Sequence, residues 1–272
     1  MKNLHIVIIG GVSGAIGDAF FQEFVLEKDI IIFGLSRRGL RNVEALPDHS
    51  CAVNINYSDK KNVDQFCEKV ISLGPKEITY IHCMGPFKTE LDPETRKRRI
   101  HRDIDKDGVD DEIYERVFVF PKAMADSMIN KRGSLNIQLN FVNIGSLVEK
   151  YNISIFGSWI KVRDKVKREF KRISEKFENV CSIDVLVSTI LSSKELIDRP
   201  YVFGTDNNPQ FWLKPQELTS KVRAILSKRL HGFFQYEIFH KAPGVSKERF
   251  EEGQMIKRRL IEHFNVRDDL SF

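Results

Sequence analysis

Apolar residues along this chain fall into two alternating rhythms. Short unbroken runs at Leu4–Ile9, Ile30–Leu35, Cys51–Ile55, Ile78–Cys83, Leu135–Ile144 and Cys181–Val187 read as strands buried on both faces. Segments of helical period lie between them, at Asp18–Glu27, Lys61–Leu73, Glu112–Asn130 and Trp159–Phe177. Pro215–Lys228 continues the series as a late helix and Gly232–Phe239 as a last strand, and Val245–Phe264 reads as a charged helical tail. Strands alternating with helices at this spacing imply βαβ units and right-handed crossovers. The expected fold is α/β, a doubly wound parallel sheet with helices on both faces. Residues 1–240 would form one domain and 241–272 a C-terminal helical extension of it. No internal repeat or linker interrupts the pattern.

The first strand runs straight into Gly10-Gly11-Val12-Ser13-Gly14-Ala15-Ile16-Gly17 and then into a helix. Gly10 and Gly11 permit a sharp turn, and Gly17 lets the helix sit close against the strand. A helix that starts there aims its free N–H groups and positive dipole end at the turn, a geometry suited to a pyrophosphate. The fold is thereby narrowed to a Rossmann-type dinucleotide-binding sheet.

The 272 residues suffice for one large α/β domain, and 42% hydrophobic with 30% charged content describes a soluble globular chain. No run approaches the ~20 apolar residues of a membrane span. The chain opens on a strand rather than a signal peptide, and Cys51, Cys67, Cys83 and Cys181 form no C-x-x-C, so neither a zinc site nor a disulfide framework is expected. A reducing cytoplasm is the compartment these features suggest. A net charge of +5 is modest, and the basic stretches Arg96–Arg102 and Lys161–Lys171 are interleaved at helical spacing, which favours a solvated helix face or an anion-binding surface over a nucleic-acid groove.

About 20 residues past the glycines, the second strand ends in Ser36-Arg37-Arg38. A carboxylate there would hold the ribose 2′-hydroxyl of NAD, and an arginine would accept the 2′-phosphate of NADP. No acid is present, and two guanidiniums suit a phosphomonoester, so NADP(H) is the expected cofactor.

The chain resembles the short-chain dehydrogenase/reductase (SDR) superfamily over roughly residues 4–230. Gly10 to Gly17 is similar to its T-G-x-x-x-G-I-G motif, with Gly10 for Thr and Ala15 for the middle Gly. Gly11, Ser13, Ile16 and Gly17 would line the cofactor. Asn56-Tyr57-Ser58-Asp59 resembles the D-V-T-D segment, with Asn56 in place of the adenine-contacting Asp. His82-Cys83-Met84-Gly85 stands where N-N-A-G does and keeps Gly85.

The resemblance also implies a catalytic set: a Ser after the fifth strand, a Tyr-x-x-x-Lys pair on the next helix, and a helical Asn. Asn143-Ile144-Gly145-Ser146 supplies the Ser. The Tyr position falls on Trp159, the Lys position on Arg163, and the Asn position near Val117. Indole N–H only donates and does not ionise near neutrality, so it cannot shuttle a proton as a phenol does. Arg163 keeps its charge and could bond a ribose hydroxyl, but as a rigid fork. Tyr151 is the nearest phenol in sequence that could replace the Tyr, with Ser158 and His82 behind it. Two functions remain open: an NADP(H)-binding SDR-like oxidoreductase with an atypical or degenerate site acting on a small carbonyl or alcohol, or a catalytically inactive homologue serving as a dinucleotide-binding partner or sensor.

Two further features bear on partners. Asp103-Ile104-Asp105-Lys106-Asp107-Gly108 matches the first half of a calcium loop, but Tyr114 stands where the twelfth ligand belongs, so an acidic turn capping the next helix is expected instead. SDR relatives pair through two helices, here Glu112–Asn130 and Trp159–Phe177. Val117, Phe120 and Met124 would form an apolar face for a homodimer or homotetramer. Core positions are the other reading of the apolar residues on that helix.

Overall fold

A computed structural model describes residues 4–37, 48–85, 106–151, 156–188, 190 and 212–239. Seven parallel strands form one sheet in the order β3-β2-β1-β4-β5-β6-β7, where β1 is His5–Gly10, β2 Ile30–Ser36, β3 Ser50–Asn54, β4 Glu77–His82, β5 Gln138–Ser146, β6 Val180–Val187 and β7 Gly232–Ile238. The order reverses at β1, so the crevice between the carboxyl ends of β1 and β4 is the topological switch point where this architecture accepts ligands. The expected doubly wound Rossmann-type sheet is therefore present. The tail Val245–Phe264 lies outside the described residues.

Helices cover both faces. Helix α1 (Ala15–Phe24) and a late helix α6 (Pro215–Leu226) bury Phe20, Phe21, Phe24, Leu218 and Val222 against Val7, Ile9, Ile32 and Val185. Helices α2 (Lys60–Ser72), α4 (Phe120–Arg132) and α5 (Gly157–Lys176) close the other face over Ile6, Ile8, Tyr80 and Phe141. Alternate residues of β1 serve opposite cores, which explains why its sequence is an unbroken apolar run rather than an alternating one.

The expected helix Glu112–Asn130 is built in three parts. A single turn α3 (Asp111–Tyr114) leads into a π-helical turn (Glu115–Val119) and then α4, with Pro121 near the α4 start. Proline supplies no N–H and crowds the preceding turn, which is compatible with a widened turn there. Val117, Phe120 and Met124 are at most 1% exposed and lie in the core cluster beneath the sheet. The pairing face that these three residues were expected to present is thus spent within the monomer. Asp110 caps α3 through Ile113 N–H at 3.0 Å, and Asp107 accepts from Val109 N–H at 3.0 Å, the capping turn expected from the acidic segment. Asp103 and Asp105 lie outside the described residues, among which no cluster of metal-ligating side chains occurs.

Candidate functional site

At the switch point, Gly11 has φ +87°, in the left-handed region open to glycine. A Cβ at Gly11 would fall 2.7 Å from Met84 Cγ, and one at Gly17 would strike the Gly11 carbonyl. The two glycines let helix, turn and β4 come together. The amides of Gly11 and Val12 donate to Leu35 O at 3.0 and 3.3 Å, Gly14 N–H to Gly11 O at 2.9 Å, and Cys83 N–H to Gly10 O at 2.9 Å. The turn is therefore stitched to β2 and β4 by its own backbone. No side chain caps α1, whose N-cap is Gly14, and Ser13, Gly14 and Ala15 are exposed while Ile16 is half-buried. An uncapped helix start presents orphan amides and positive potential to solvent, and the residues present fit a pyrophosphate.

The adjacent strand ends extend this cradle. Ser36 is buried and its carbonyl accepts from Ile55 N–H at 3.2 Å, while Arg37 is exposed. The Arg37 guanidinium lies 6.0 Å from the centre of the Tyr57 ring, and that ring packs on Phe120 with centroids 4.4 Å apart. Burial pushes the Tyr57 phenol up to about 12, so it stays protonated and neutral. Asn56 is exposed and its Oδ1 accepts from Ser58 N–H at 3.3 Å, closing a turn before Asp59, which caps α2. Arg38 lies outside the described residues.

On the other side of β4, the structure brings Ser146, Trp159 and Arg163 together, but around a carboxylate. Glu149 Oε1 accepts from Ser146 N–H at 2.7 Å, Arg163 Nε–H at 2.9 Å and Trp159 Nε1–H at 3.3 Å, and Lys167 Nζ reaches Glu149 Oε2 at 3.1 Å. Arg163 Nη2 bonds Asp184, which also accepts from Gln235 at 3.1 Å. The guanidinium is fully buried, and Gly145 leaves the space in which it and Glu149 meet β5. Burial alone would lower the Arg163 pKa, but the carboxylates of Asp184 and Glu149 hold it above its ordinary range. Arg163 thus faces inward, where the sequence left it able to bond a ribose hydroxyl.

Trp159 is 5% exposed, and its six-membered ring lies over Gly85, where a Cβ would meet indole carbons at 2.8 and 2.9 Å and Val117 at 3.0 Å. The indole therefore roofs the end of β4. Ser146 is half-buried, and its Oγ accepts from Val148 N–H at 3.4 Å, the start of the 3₁₀ turn Leu147–Tyr151. Tyr151 ends that turn, and its side chain lies outside the described residues. Ser158 is buried, accepts from Asp110 N–H at 3.2 Å and donates to Gly108 O at 3.3 Å, away from Ser146.

His82 is also enclosed. Its Nδ1 pairs with the Tyr80 hydroxyl at 2.8 Å, and burial, with Arg163 nearby, lowers its pKa to about 3. A neutral imidazole follows, and it shares a single hydrogen bond with the Tyr80 hydroxyl through Nδ1. The aromatic side chain of Tyr80 comes within 3.0 Å of a Cβ position at Gly10, which places this pair directly beneath the glycine turn.

Glu149 and Asp184 organise this side of the site, and neither was singled out from the sequence. Glu149 carried a local signal: Ser146-x-x-Glu149 is a capping-box spacing, and the Glu half of the box is present, while the Ser146 hydroxyl accepts from Val148 N–H instead of Glu149 N–H. Asp184 carried a weaker one, an acid inside the buried strand Cys181–Val187.

The sequence matches no protein-family model and no curated protein. Solved structures resemble the fold over most of its length. A 4-hydroxyisoleucine dehydrogenase complexed with NADH is 15% identical with a TM-score of 0.63, covering 89% of this chain and 100% of that one. A short chain dehydrogenase/reductase family protein is 10% identical with a TM-score of 0.67, covering 88% and 97%. An alcohol dehydrogenase from the archaeon Thermococcus sibiricus complexed with 5-hydroxy-NADP is 12% identical with a TM-score of 0.64, covering 89% and 100%. At these identities the likeness is one of fold.

Proposed function

We propose that this chain binds NADP(H) as SDR proteins do and that its redox site is degenerate, so that carbonyl reduction is slow or absent. One arrangement carries the reading: an uncapped glycine turn lies beside a helix whose Tyr and Lys positions both donate to Glu149. A bound nicotinamide would supply a hydride. Gly11, Ser13, Ile16 and Gly17 would hold the pyrophosphate, Ser36, Arg37 and Arg38 the 2′-phosphate end, Asn56 the adenine, and Gly85 the floor of the nicotinamide end.

Hydride delivery to a carbonyl creates an alkoxide that needs a proton from a positioned acid, worth ~10²–10⁴-fold in rate. Trp159 offers an N–H already committed to Glu149, and an indole does not ionise in the working range. Arg163 is buried and paired with two carboxylates, so it faces the core rather than a ribose. The nucleotide then has a binding rather than a chemical role, and the protein acts as a dinucleotide-dependent partner or sensor. The test is calorimetry with NADPH, followed by its oxidation with a panel of aldehydes and ketones. Tight binding without turnover is expected. Failure to bind removes the proposal.

A second reading rests on Ser146, whose hydroxyl is half-buried at the end of β5 and keeps its proton free to polarise a carbonyl. In that case the chain is an NADP-dependent oxidoreductase using another acid, with Tyr151 the nearest phenol. Brisk turnover that Tyr151→Phe abolishes and Trp159→Phe spares would establish it.

A further inference from the structure

We infer that Tyr57 is a specificity-determining positioning residue: its ring seats the Arg37 guanidinium so that the site prefers a 2′-phosphorylated dinucleotide. The inference rests on the NADP(H) reading above and deepens it. An exposed arginine at a strand end samples many rotamers, and ordering it on ligand binding costs conformational entropy. Here the guanidinium carbon lies 6.0 Å from the Tyr57 ring centre, within cation–π reach.

The ring is itself fixed. Tyr57 is 7% exposed, and Phe120 backs it at 4.4 Å between centroids. Phe120 is fully buried at the start of α4, which ties the arginine's position to the core of the domain. Tyr57 would need to touch no part of the nucleotide. It acts through Arg37, by holding the fork where a phosphomonoester can take two parallel hydrogen bonds.

The full-length chain tests this in a double-mutant cycle. Affinities for NADP⁺ and NAD⁺ are measured by calorimetry for wild type, Tyr57→Leu, Tyr57→Phe, Arg37→Ala and the Tyr57→Leu/Arg37→Ala pair. Tyr57→Leu should reduce the NADP⁺/NAD⁺ affinity ratio about two- to five-fold, the size of a solvent-accessible cation–π contact. Tyr57→Phe, which keeps the ring, should hold the ratio within about two-fold by the same reasoning. In the Arg37→Ala background, Tyr57→Leu should leave the ratio unchanged, since the two act as one unit.

Retained NAD⁺ affinity in Tyr57→Leu shows that the fold and the glycine turn survive the change. Should Tyr57→Leu destabilise the chain, Tyr57→Phe against Tyr57→His supplies the comparison between a neutral ring that keeps the preference and a titratable one that repels the guanidinium when charged. An equal ratio in wild type and Tyr57→Leu overturns the inference while leaving NADP(H) binding intact. A wild type that binds neither nucleotide overturns the functional reading and this inference with it.

Discussion

Removing the guanidinium at the centre of the buried cluster should separate structure from catalysis at this site. In Arg163→Met the aliphatic stem keeps most of its packing, but two carboxylates lose a partner. Glu149 retains Lys167, Trp159 Nε1–H and Ser146 N–H. Asp184 retains only Gln235 among the contacts described here. The cost therefore falls on Asp184, whose side chain is 2% exposed. Breaking a buried ion pair from one side costs about 3–5 kcal/mol, because an uncompensated charge stays in the interior.

The pH dependence fixes the cause. Burial already pushes the Asp184 carboxyl above its ordinary pKa, against the pull of Arg163, and removing Arg163 raises it further. A carboxyl with a raised folded pKa favours the folded state below its unfolded pKa and loses that contribution as pH rises through the folded value. The gap between variant and wild type should thus be widest near pH 8 and shrink by up to ~1.4 kcal/mol per pH unit on acidification. Urea unfolding followed by far-UV circular dichroism at several pH values reads this out. Adding Asp184→Asn to Arg163→Met should recover most of the loss at high pH. A deficit below about 1 kcal/mol, or one constant between about pH 5 and pH 8, would refute the assignment of Asp184 as the stranded charge.

Three further outcomes are expected. Gly17→Ala, whose Cβ would strike the Gly11 carbonyl, should prise α1 from the turn and abolish dinucleotide binding in calorimetry, whereas Gly74→Ala, which meets no neighbour and is strained only by its φ of +70°, should cost some stability and leave binding intact. His82→Gln should flatten the acid limb of stability: with a folded pKa of about 3, the imidazole stays neutral while the unfolded chain takes up a proton below pH 6.5, so wild type loses ~1.4 kcal/mol per pH unit there and the variant should not. Trp159→Tyr alone should create at most weak carbonyl reduction in an NADPH oxidation assay, because the phenol would inherit Glu149 as its hydrogen-bond partner rather than a cation that lowers its pKa.

What the sequence made legible was local. The glycine turn, the strand ends and the helix rhythm each follow from neighbouring residues, and every strand expected between Leu4 and Phe239 is present, with boundaries shifted by at most a few positions. The breaks in that legibility are tertiary. The period of Glu112–Asn130 could not show that Glu115–Val119 forms a π turn. Nor could it show which apolar side chains the sheet would claim, so Val117, Phe120 and Met124 read equally as an interface or a core. Arg163 read as a free cation because its two partners lie 14 residues before it and 21 after it, one in a 3₁₀ turn and one on a buried strand. Only the sheet register brings them to one point.

Helix α5 carries the deeper consequence of that cluster. Positions 159, 163 and 167 are spaced four apart, so they stack on one face, and all three side chains are directed at Glu149. Trp159 and Arg163 are therefore not two independent features. They belong to one arrangement, in which an acid supplied by the Ser146-x-x-Glu149 turn draws the helix face inward beside Gly85. Substituting Lys for Arg163 would leave an ammonium between the same two carboxylates, still facing the core. On the proposed reading, placing a Tyr and a Lys at these positions in working order would require Glu149 to be neutralised together with both helix positions. Stepwise substitution should pass through unstable variants, because each single change strands a buried charge or an unmatched donor. Urea midpoints for Trp159→Tyr/Arg163→Lys with and without Glu149→Gln decide the matter: if the pair alone is as stable as wild type, the three positions are uncoupled.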